Sequence, residues 1–268
     1  MPEGPEVKRV GEGLARKVSG KTITEINILS GRYTKKSPTG LEDFVKSLPI
    51  KVVGCGVHGK FIYWICNDAN FIWSTLGMTG SWGSSKKKHA RVEIKFSDGT
   101  SVFYNDPRNF GTLKFVKGKQ IMINKLNSFG PDMLAEDVSD EDFMSAIRKK
   151  SKWQITKALM DQSVVCGVGN YVKADSLWLA RLSPLRRVSE LTDEELKNLN
   201  RSIKHVLRES YQSGGATIRT YKGFDDEEGE YGQRMLVYGQ EYDPDGNEVV
   251  KEETEDGRTT HWVPEVQK

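Results

Sequence analysis

Two short segments, Ala158-Leu159-Met160-Asp161-Gln162 and Gly167-Val168-Gly169-Asn170-Tyr171, flank a glycine turn in the second half of the chain. The spacing of apolar residues predicts one helix over residues 152–161 and another over residues 170–180. A glycine-rich turn at the start of a helix presents backbone N–H groups to a phosphate, and Asn170 would add a side-chain donor. Helical hairpins with glycine turns also occur in other settings, but this pattern favours contact with DNA.

The rest of the second half is predicted to be helical and to end in a small β-hairpin. Acidic residues at 140–142 begin one helix, and Thr192 with Glu195 forms a capping box that opens another helix reaching about Gln212. Strands are predicted over residues 235–239, 248–253 and 258–263.

The first half has the pattern of a β-structure preceded by one helix. Apolar spacing predicts a helix over residues 5–18, which Gly11 and Gly13 weaken. Short apolar runs separated by turn residues then predict strands over 22–29, 50–57, 60–66, 70–76, 90–96, 100–104 and 112–116. We therefore predict an α+β protein of two domains. The N-terminal domain, a β-sandwich or barrel flanked by helices, is expected over residues 1–127. A linker is expected over 128–138 and a helical domain over 139–268, with its terminal hairpin from about residue 232.

The composition is that of a globular protein with a polyanionic partner. Of 268 residues, 37% are hydrophobic, and no apolar run approaches the roughly 20 residues that span a bilayer. Residues 1–220 carry 35 Lys and Arg against 23 Asp and Glu, whereas residues 221–268 carry 5 against 14. A basic body gains by releasing counterions from phosphates, so nucleic acid is a candidate partner. Three scattered cysteines indicate a reducing compartment and exclude a zinc site of four cysteines.

The N-terminal residues Met1-Pro2-Glu3 indicate a nucleophilic amine. Removal of Met1 would leave Pro2 as a free secondary amine, and an α-amine titrates at about pH 8 while lysine titrates at about 10.4. Its addition to a sugar carbon gives a cationic iminium that suits elimination, and Glu3 could shuttle protons. Proline at position 2 also occurs through ordinary Met processing, so these residues alone do not establish catalysis.

The opening Met1-Pro2-Glu3-Gly4-Pro5-Glu6 resembles the start of the formamidopyrimidine-glycosylase and endonuclease VIII (Fpg/Nei) family of DNA glycosylases. Gly4 makes it more similar to the endonuclease VIII-like (Nei-like) branch than to the bacterial formamidopyrimidine branch. The resemblance implies that Pro2 attacks C1′ of the deoxyribose, that Glu3 supplies the proton transfers, and that Glu6 orients the site.

Other family motifs follow in the same order along the chain. Residues 158–171 resemble the helix–two-turn–helix of the family, whose glycine turn binds a phosphate. Lys60 matches a lysine of the catalytic site that contacts the phosphate near the lesion. Met78 matches the residue that fills the space left by the everted base. Arg108 and Phe110 match residues that pair with the orphaned base and wedge the stack. Taken singly, a surface lysine, a core methionine and an Asp-Pro turn would be ordinary features.

The C-terminal tail departs from the family pattern, because most members end in a four-cysteine zinc finger. Val263 and Val266 stand where the last cysteine pair would be, and valine cannot bind zinc. The resemblance implies a zincless finger held by apolar packing, as in Nei-like enzymes of eukaryotes and large DNA viruses, with no metal or other cofactor. Arg258 and Asn170 match residues that reach DNA phosphates, and His261 is expected to pack rather than to ligate.

Together the motifs imply a bifunctional DNA glycosylase and abasic-site lyase of base-excision repair, acting through a proline Schiff base and β,δ-elimination. Segment 216–234, which in relatives forms a loop over the extruded base, is acidic and short here. Oxidised pyrimidines and hydantoins are therefore expected over 8-oxoguanine, with Tyr221 lining the base pocket. The expected partner is double-stranded or single-stranded DNA with oxidised bases or abasic sites. We expect a monomer, without membrane contact, in a nucleus, a viral replication site or a prokaryotic cytoplasm.

Two other classes of protein stay open at this point. A non-catalytic module that recognises bent or damaged duplex would share the basic body but would have no use for Pro2 and Glu3. A small-molecule enzyme with an N-terminal proline, such as a tautomerase-like protein, would be much shorter and would have no reason to carry Asn170 or Arg258.

Overall fold

The structure is a computed structural model that describes residues 2–135, 138–216, 223–226 and 228–268. It divides into two compact units. The first contains Pro2, residues 6–127 and the described part of 214–229; the second contains residues 3–5, 230–268 and the described part of 128–213. Each predicted domain is one continuous stretch of the sequence. The first unit, in contrast, also contains a segment from late in the chain.

The first unit is built on eight antiparallel strands. They are β1 (Thr22–Ile28), β2 (Ile50–His58), β3 (Phe61–Cys66), β4 (Asn70–Thr75), β5 (Ser81–Gly83), β6 (Ala90–Phe96), β7 (Ser101–Asn105) and β8 (Thr112–Lys117). Their order is β5-β7-β6-β1-β2-β3-β4-β8, and β1 meets β2 through the pairs Thr22–Lys51 and Ile23–Ile50. Both four-stranded halves contribute side chains to one buried core, so the predicted β-sandwich is confirmed.

Three helices belong largely to this unit: α1 (Gly4–Val18), α2 (Leu41–Lys46) and α3 (Lys119–Asn127). The sequence pattern predicted α1 but not α2, α3 or the three-residue β5, which are short and weakly patterned. The glycines of α1 are points of close packing. A Cβ on Gly13 would lie 2.7 Å from Cβ of Phe224, and one on Gly11 would overlap the side chain of Val57.

The second unit contains the helices α4 (Asp140–Arg148), α5 (Ile155–Met160), α6 (Asn170–Leu179) and α7 (Asp193–Gln212). Capping boxes at Ser139–Asp142 and Thr192–Glu195 begin α4 and α7, as the acidic first turns suggested. Helix α6 is buried along most of its length, and the glycine turn precedes it. The predicted helical half is therefore confirmed. Within the described ranges, no helix is long and apolar enough to span a membrane.

The chain ends in the hairpin β9 (Val250–Glu253) and β10 (Thr259–Trp262). The strand predicted over residues 235–239 is wrong. The backbone N–H groups of Leu236, Val237 and Tyr238 donate to the buried carboxylate of Asp175 at 3.0–3.1 Å. Because three successive amides converge on one side chain, they are not available to form the hydrogen bonds of a strand.

Candidate functional site

Residues 2 and 3, at the start of the chain, are buried and held in place. Pro2 is buried, and Glu3 is 3% exposed. The Glu3 carboxylate accepts hydrogen bonds from the backbone N–H groups of Tyr171 at 3.0 Å and Val172 at 3.2 Å. These amides belong to the first turn of α6, where a carboxylate is favoured by the helix dipole. Chain termini usually fray, so this anchoring gives the start of the chain a defined position.

The glycine turn before α6 makes room for that carboxylate. A Cβ on Gly169 would lie 2.5 Å from Cγ of Glu3 and closer still to its carboxyl group. Gly169 has φ −128°, so close approach rather than unusual backbone geometry requires glycine here. Within the same unit, the N–H of Gly4 donates to the carbonyl of Gly167 at 2.8 Å. The turn predicted to face a phosphate therefore also receives the N-terminal segment.

Glu6 is buried in the first unit, where its carboxylate accepts a hydrogen bond from the N–H of Ala216 at 2.7 Å. It therefore holds the end of residues 214–216 that leads into segment 217–222. Tyr221, predicted to line the base pocket, lies outside the described residues.

The chain beyond that segment is also fastened within the first unit. Phe224 is buried in the sandwich core, and the Asp225 carboxylate accepts hydrogen bonds from the N–H and hydroxyl of Ser84 at 2.6 and 2.7 Å. Asp225 has a left-handed backbone (φ 52°, ψ 34°), a conformation that Asp tolerates better than most residues. Glu6 and Ser84 thus hold the chain on either side of residues 217–222, which belong to the segment 216–234 predicted to cover the base.

The loops that carry Met78, Arg108 and Phe110 are tied together by buried hydrogen bonds. The Thr79 hydroxyl donates to Asp106 at 2.9 Å and accepts from the N–H of Arg108 at 3.3 Å. The other Asp106 oxygen accepts from the N–H of Gly111 at 2.8 Å. Thr79 and Asp106 were not recognised as functional from the sequence, although Thr79 follows Met78 directly and Asp106 lies two residues before Arg108. Both side chains are buried, and each finds its hydrogen-bond partners within these two loops, as buried polar groups require.

Phe110 projects from its loop with 53% of its surface exposed. The guanidinium of Arg108 lies 4.6 Å from the centre of the Phe110 ring, and Met78 is half-buried in the neighbouring loop. An exposed aromatic side chain stacked with a cation is suited to enter a base stack. The structure therefore brings three predicted DNA-contacting residues onto two connected loops.

Lys60 lies in the turn between β2 and β3, where Gly59 adopts φ 55°. The predicted site residues fall on both units. The first carries Pro2, Glu6, Lys60, Met78, Arg108 and Phe110, and the second carries Glu3, Asn170 and Arg258.

Asn170 and Arg258 are brought close together in the second unit. The side-chain amide of Asn170 donates to the carbonyl of Thr259 at 3.0 Å, one residue after Arg258 in the chain. That amide has a second hydrogen, which a phosphate oxygen could accept. The exposed Arg258 guanidinium has no hydrogen-bond or ion-pair partner within the described part of the chain. Both residues therefore carry hydrogen-bond donors close to the start of β10.

The last part of the chain packs around an apolar cluster. A buried cluster contains Ala174, Trp178, Val237, Val249 and Val263, with Val266 packed against it. Asp243 accepts hydrogen bonds from the Trp178 indole N–H at 3.1 Å and the Asn247 backbone N–H at 2.8 Å. Among the described residues, no group of three His, Cys, Asp or Glu side chains could hold a metal ion.

Burial shifts the pKa values of two other ionisable side chains, His261 and Cys66. Burial lowers the pKa of His261, with Lys251 and Lys173 adding to the effect, and the ring lies 5.0 Å from that of Tyr238. Burial raises the pKa of Cys66 to about 12. That thiol is therefore protonated at neutral pH and does not compete as a nucleophile.

A β-sandwich with an exposed Arg–Phe pair, and a helical unit with a phosphate-suited glycine turn, define a protein that acts on nucleic acid. Three family models match the chain: formamidopyrimidine-DNA glycosylase N-terminal domain over residues 1–113, H2TH domain over 129–222 and C-terminal domain over 226–268. The chain belongs to the formamidopyrimidine-DNA glycosylase family, whose members remove oxidised bases in base-excision repair.

Individual relatives match this chain over nearly the whole length of both proteins. The formamidopyrimidine-DNA glycosylases of Oceanobacillus iheyensis and Streptococcus pneumoniae are each 34% identical, with 100% of this chain and 98% and 99% of those proteins covered. A structure of MutM in complex with DNA containing carbocyclic 8-oxo-G has a TM-score of 0.87 at 29% identity, covering 100% of both chains. The MutM (Fpg) protein of Thermus thermophilus gives a TM-score of 0.86 at 28% identity, covering 99% of this chain and 98% of that one.

These relatives confirm the predicted family at the level of Fpg and MutM proteins. They carry the formamidopyrimidine name and come from bacteria. They therefore give no support to the endonuclease VIII-like branch in particular, nor to a nuclear or viral setting.

Proposed function

We propose that this protein is a bifunctional DNA glycosylase and abasic-site lyase whose nucleophile is the imino nitrogen of Pro2, exposed by removal of Met1. The anchored chain start is the observation that carries the proposal. A terminal amine can act as a catalyst only if it is held in place, and the Glu3 carboxylate, bound to the amides of Tyr171 and Val172, provides such a hold.

The proposed reaction begins with attack of the Pro2 nitrogen on C1′ of the damaged nucleotide. The bond between C1′ and the base breaks, and the base leaves with a proton. The bond between C1′ and the ring oxygen O4′ then breaks, O4′ takes a proton, and an iminium ion forms at C1′. Loss of a C2′ proton then expels the 3′ phosphate, and a second elimination expels the 5′ phosphate. Glu3 is the proposed proton carrier. Hydrolysis of the iminium frees Pro2 and leaves a one-nucleotide gap.

DNA binding is proposed to divide between stack-filling and phosphate-binding residues. Phe110 and Arg108, held with Met78 on connected loops, would occupy the space left by the everted nucleotide. Asn170 and Arg258 would bind phosphate through the donors described above, and Lys60 would add a further phosphate contact.

The finger is proposed to work without zinc. Val263 and Val266 supply packing surface instead of thiolates, and Asp243 closes the preceding turn through hydrogen bonds. The chelator phenanthroline should therefore leave DNA cleavage unchanged, and added zinc should not raise it. Loss of activity on chelation, restored by zinc, would refute this part of the proposal.

The substrate class is the finer part of the proposal. Solved relatives include Lactococcus lactis Fpg in complexes with DNA containing Fapy-dG and with DNA containing an abasic site. DNA containing oxidised bases or abasic sites, in duplex or single strands, is accordingly the proposed partner, and the protein is proposed to act as a monomer. We further propose a preference for oxidised pyrimidines and hydantoins over 8-oxoguanine, because segment 216–234 is short and acidic and should hold an oxidised purine poorly.

Borohydride trapping tests the nucleophile directly. Native protein incubated with abasic-site DNA and borohydride should give a covalent adduct, and peptide mapping should place it on the N-terminal peptide. A protein with a residue retained before Pro2 should trap poorly, whereas Pro5→Ala, which changes a neighbouring proline, should trap normally. An adduct mapped to Lys60 in the native protein would refute the assignment.

A lesion panel tests the substrate class separately. Duplexes with an oxidised pyrimidine, a hydantoin, Fapy-dG and 8-oxoguanine are compared by single-turnover strand cleavage. Faster cleavage of the 8-oxoguanine duplex than of the pyrimidine and hydantoin duplexes would overturn the preference, while the trapping result would still decide the chemistry.

A further inference from the structure

Helix α6 and the turn between β9 and β10 are joined by a buried ion pair. The Lys173 ammonium lies 2.7 Å from the Asp256 carboxylate, and the two side chains are 0% and 3% exposed. Burial lowers the pKa of Lys173, while the hydrogen bond from its ammonium to Asp256 raises it. A buried ion pair is weak evidence for stability, because apolar residues of similar volume pack at a lower desolvation cost.

Asp256 also organises the turn itself. One carboxylate oxygen accepts from Lys173, and the other accepts from the Thr254 hydroxyl. The Thr254 N–H in turn donates to the carbonyl of Arg258 at 3.1 Å. The backbone of Arg258 is therefore tied through Thr254 and Asp256 to the buried ammonium in α6.

A second set of contacts fastens the same turn to the residues before α5. The backbone N–H of Glu255 donates to the Gln154 side chain at 2.9 Å, and the Gln154 N–H donates back to the Glu255 carboxylate at 3.3 Å. Arg187 adds an ion pair to Glu255 at 3.4 Å. The turn is thus held from two sides, and Arg258 projects from it into solvent.

We infer that Lys173 and Asp256 are positioning residues that set the Arg258 guanidinium beside Asn170, so that both bind one DNA phosphate. Lys173 lies one helical turn after Asn170, and its ammonium is near enough to Arg258 for the two cations to repel. Pairing with Asp256 offsets that repulsion, which leaves Arg258 free to take an anion. This inference rests on the proposed function, because it assumes that Arg258 contacts DNA.

The test is equilibrium binding to a duplex with a tetrahydrofuran abasic-site analogue, measured by fluorescence anisotropy over a salt series. Arg258→Ala should weaken binding by about tenfold or more and make the plot of log K against log salt shallower by about 0.9. Asp256→Asn should weaken binding and make the salt plot shallower by similar amounts. In the Arg258→Ala background, Asp256→Asn should cause no further loss of affinity.

Two further variants control for folding and for charge. Lys173→Met with Asp256→Leu replaces the pair by apolar side chains, so it should melt no lower than Asp256→Asn while binding DNA as weakly as Arg258→Ala. Glu194→Gln breaks the exposed ion pair with Arg201 in the same unit and should leave affinity and salt slope unchanged.

Each failure would have a distinct meaning. If Arg258→Ala leaves the affinity intact, the proposed phosphate contact is wrong and the inference falls with it. If Arg258→Ala weakens binding but the Asp256 variants do not, the inference alone is wrong. A further case is that the losses of affinity add when Arg258→Ala and Asp256→Asn are combined, or that Asp256→Asn leaves the salt slope unchanged. Either result would show that the ion pair supports stability and not the placement of Arg258.

Discussion

Replacement of Gly169 by alanine should remove Glu3 from its site while leaving the backbone unstrained. The added Cβ would lie 2.5 Å from Cγ of Glu3, whereas carbon atoms pack at about 3.5–4.0 Å. The Glu3 side chain must therefore move by about 1 Å or more to restore an ordinary contact. Its hydrogen bonds to the amides of Tyr171 and Val172, now 3.0 and 3.2 Å, would then exceed the bonding range.

The size of the effect follows from these two bonds. Hydrogen bonds to a charged group contribute about 1.5–3 kcal/mol each, and water would replace part of that, so we expect a stability loss of about 2–4 kcal/mol. A displacement of about 1 Å in a catalytic group can cost about 100-fold in rate. We therefore expect base excision to slow by about 100-fold or more, with a smaller effect on DNA affinity.

The assay is single-turnover excision of an oxidised base with enzyme in excess, alongside DNA affinity and thermal melting. Gly54→Ala is the matched control, since its Cβ would meet Ser19 Oγ at 3.9 Å, an ordinary contact. Glu3→Gln combined with Gly169→Ala should be no slower than the slower single variant. An excision rate for Gly169→Ala within about threefold of the wild type would refute the role assigned to Glu3.

Three other predictions concern residues outside the chain start. Glu195→Gln should lower the melting temperature above pH 5. The hydrogen-bonded ion pair with Arg186 lowers the Glu195 pKa from 4.5 to about 2. The difference in melting temperature between variant and wild type should therefore vanish as the pH falls from 4.5 towards 2. A difference that grows on acidification would contradict this. Thr79→Val removes a buried hydrogen bond to Asp106. It should slow base excision from duplex DNA but not borohydride trapping on single-stranded abasic DNA, because a single strand has no base stack to fill. Equal losses in both assays would argue against a role in stack filling. Asp175→Asn should destabilise the protein by about 3 kcal/mol, because an amide NH2 group replaces one of the two buried oxygens that accept from the three amides. Calorimetry showing a loss below about 1 kcal/mol would contradict this prediction.

Local pattern was enough to predict several elements and the order of the motifs. Helix α1 follows from apolar residues at helical spacing, and the start of α7 from the Thr192–Glu195 capping box. These features depend on residues three or four positions apart. Pro2 and Glu3 were likewise recognisable as candidate catalytic groups, because their chemistry is intrinsic to a free N-terminal secondary amine and a neighbouring carboxylate.

Features that depend on distant partners could not be found in this way. Residues 235–239 have a strand-like composition, yet Asp175, some sixty positions earlier, takes up their amides. Asp256 resembles any acidic turn residue until the fold buries Lys173 against it. Short-range patterns report the preferences of neighbouring residues, whereas long-range contacts arise from the packing of whole elements. The amino-acid order therefore specified the elements and the reactive groups, and folding alone selected which buried charges and amides meet.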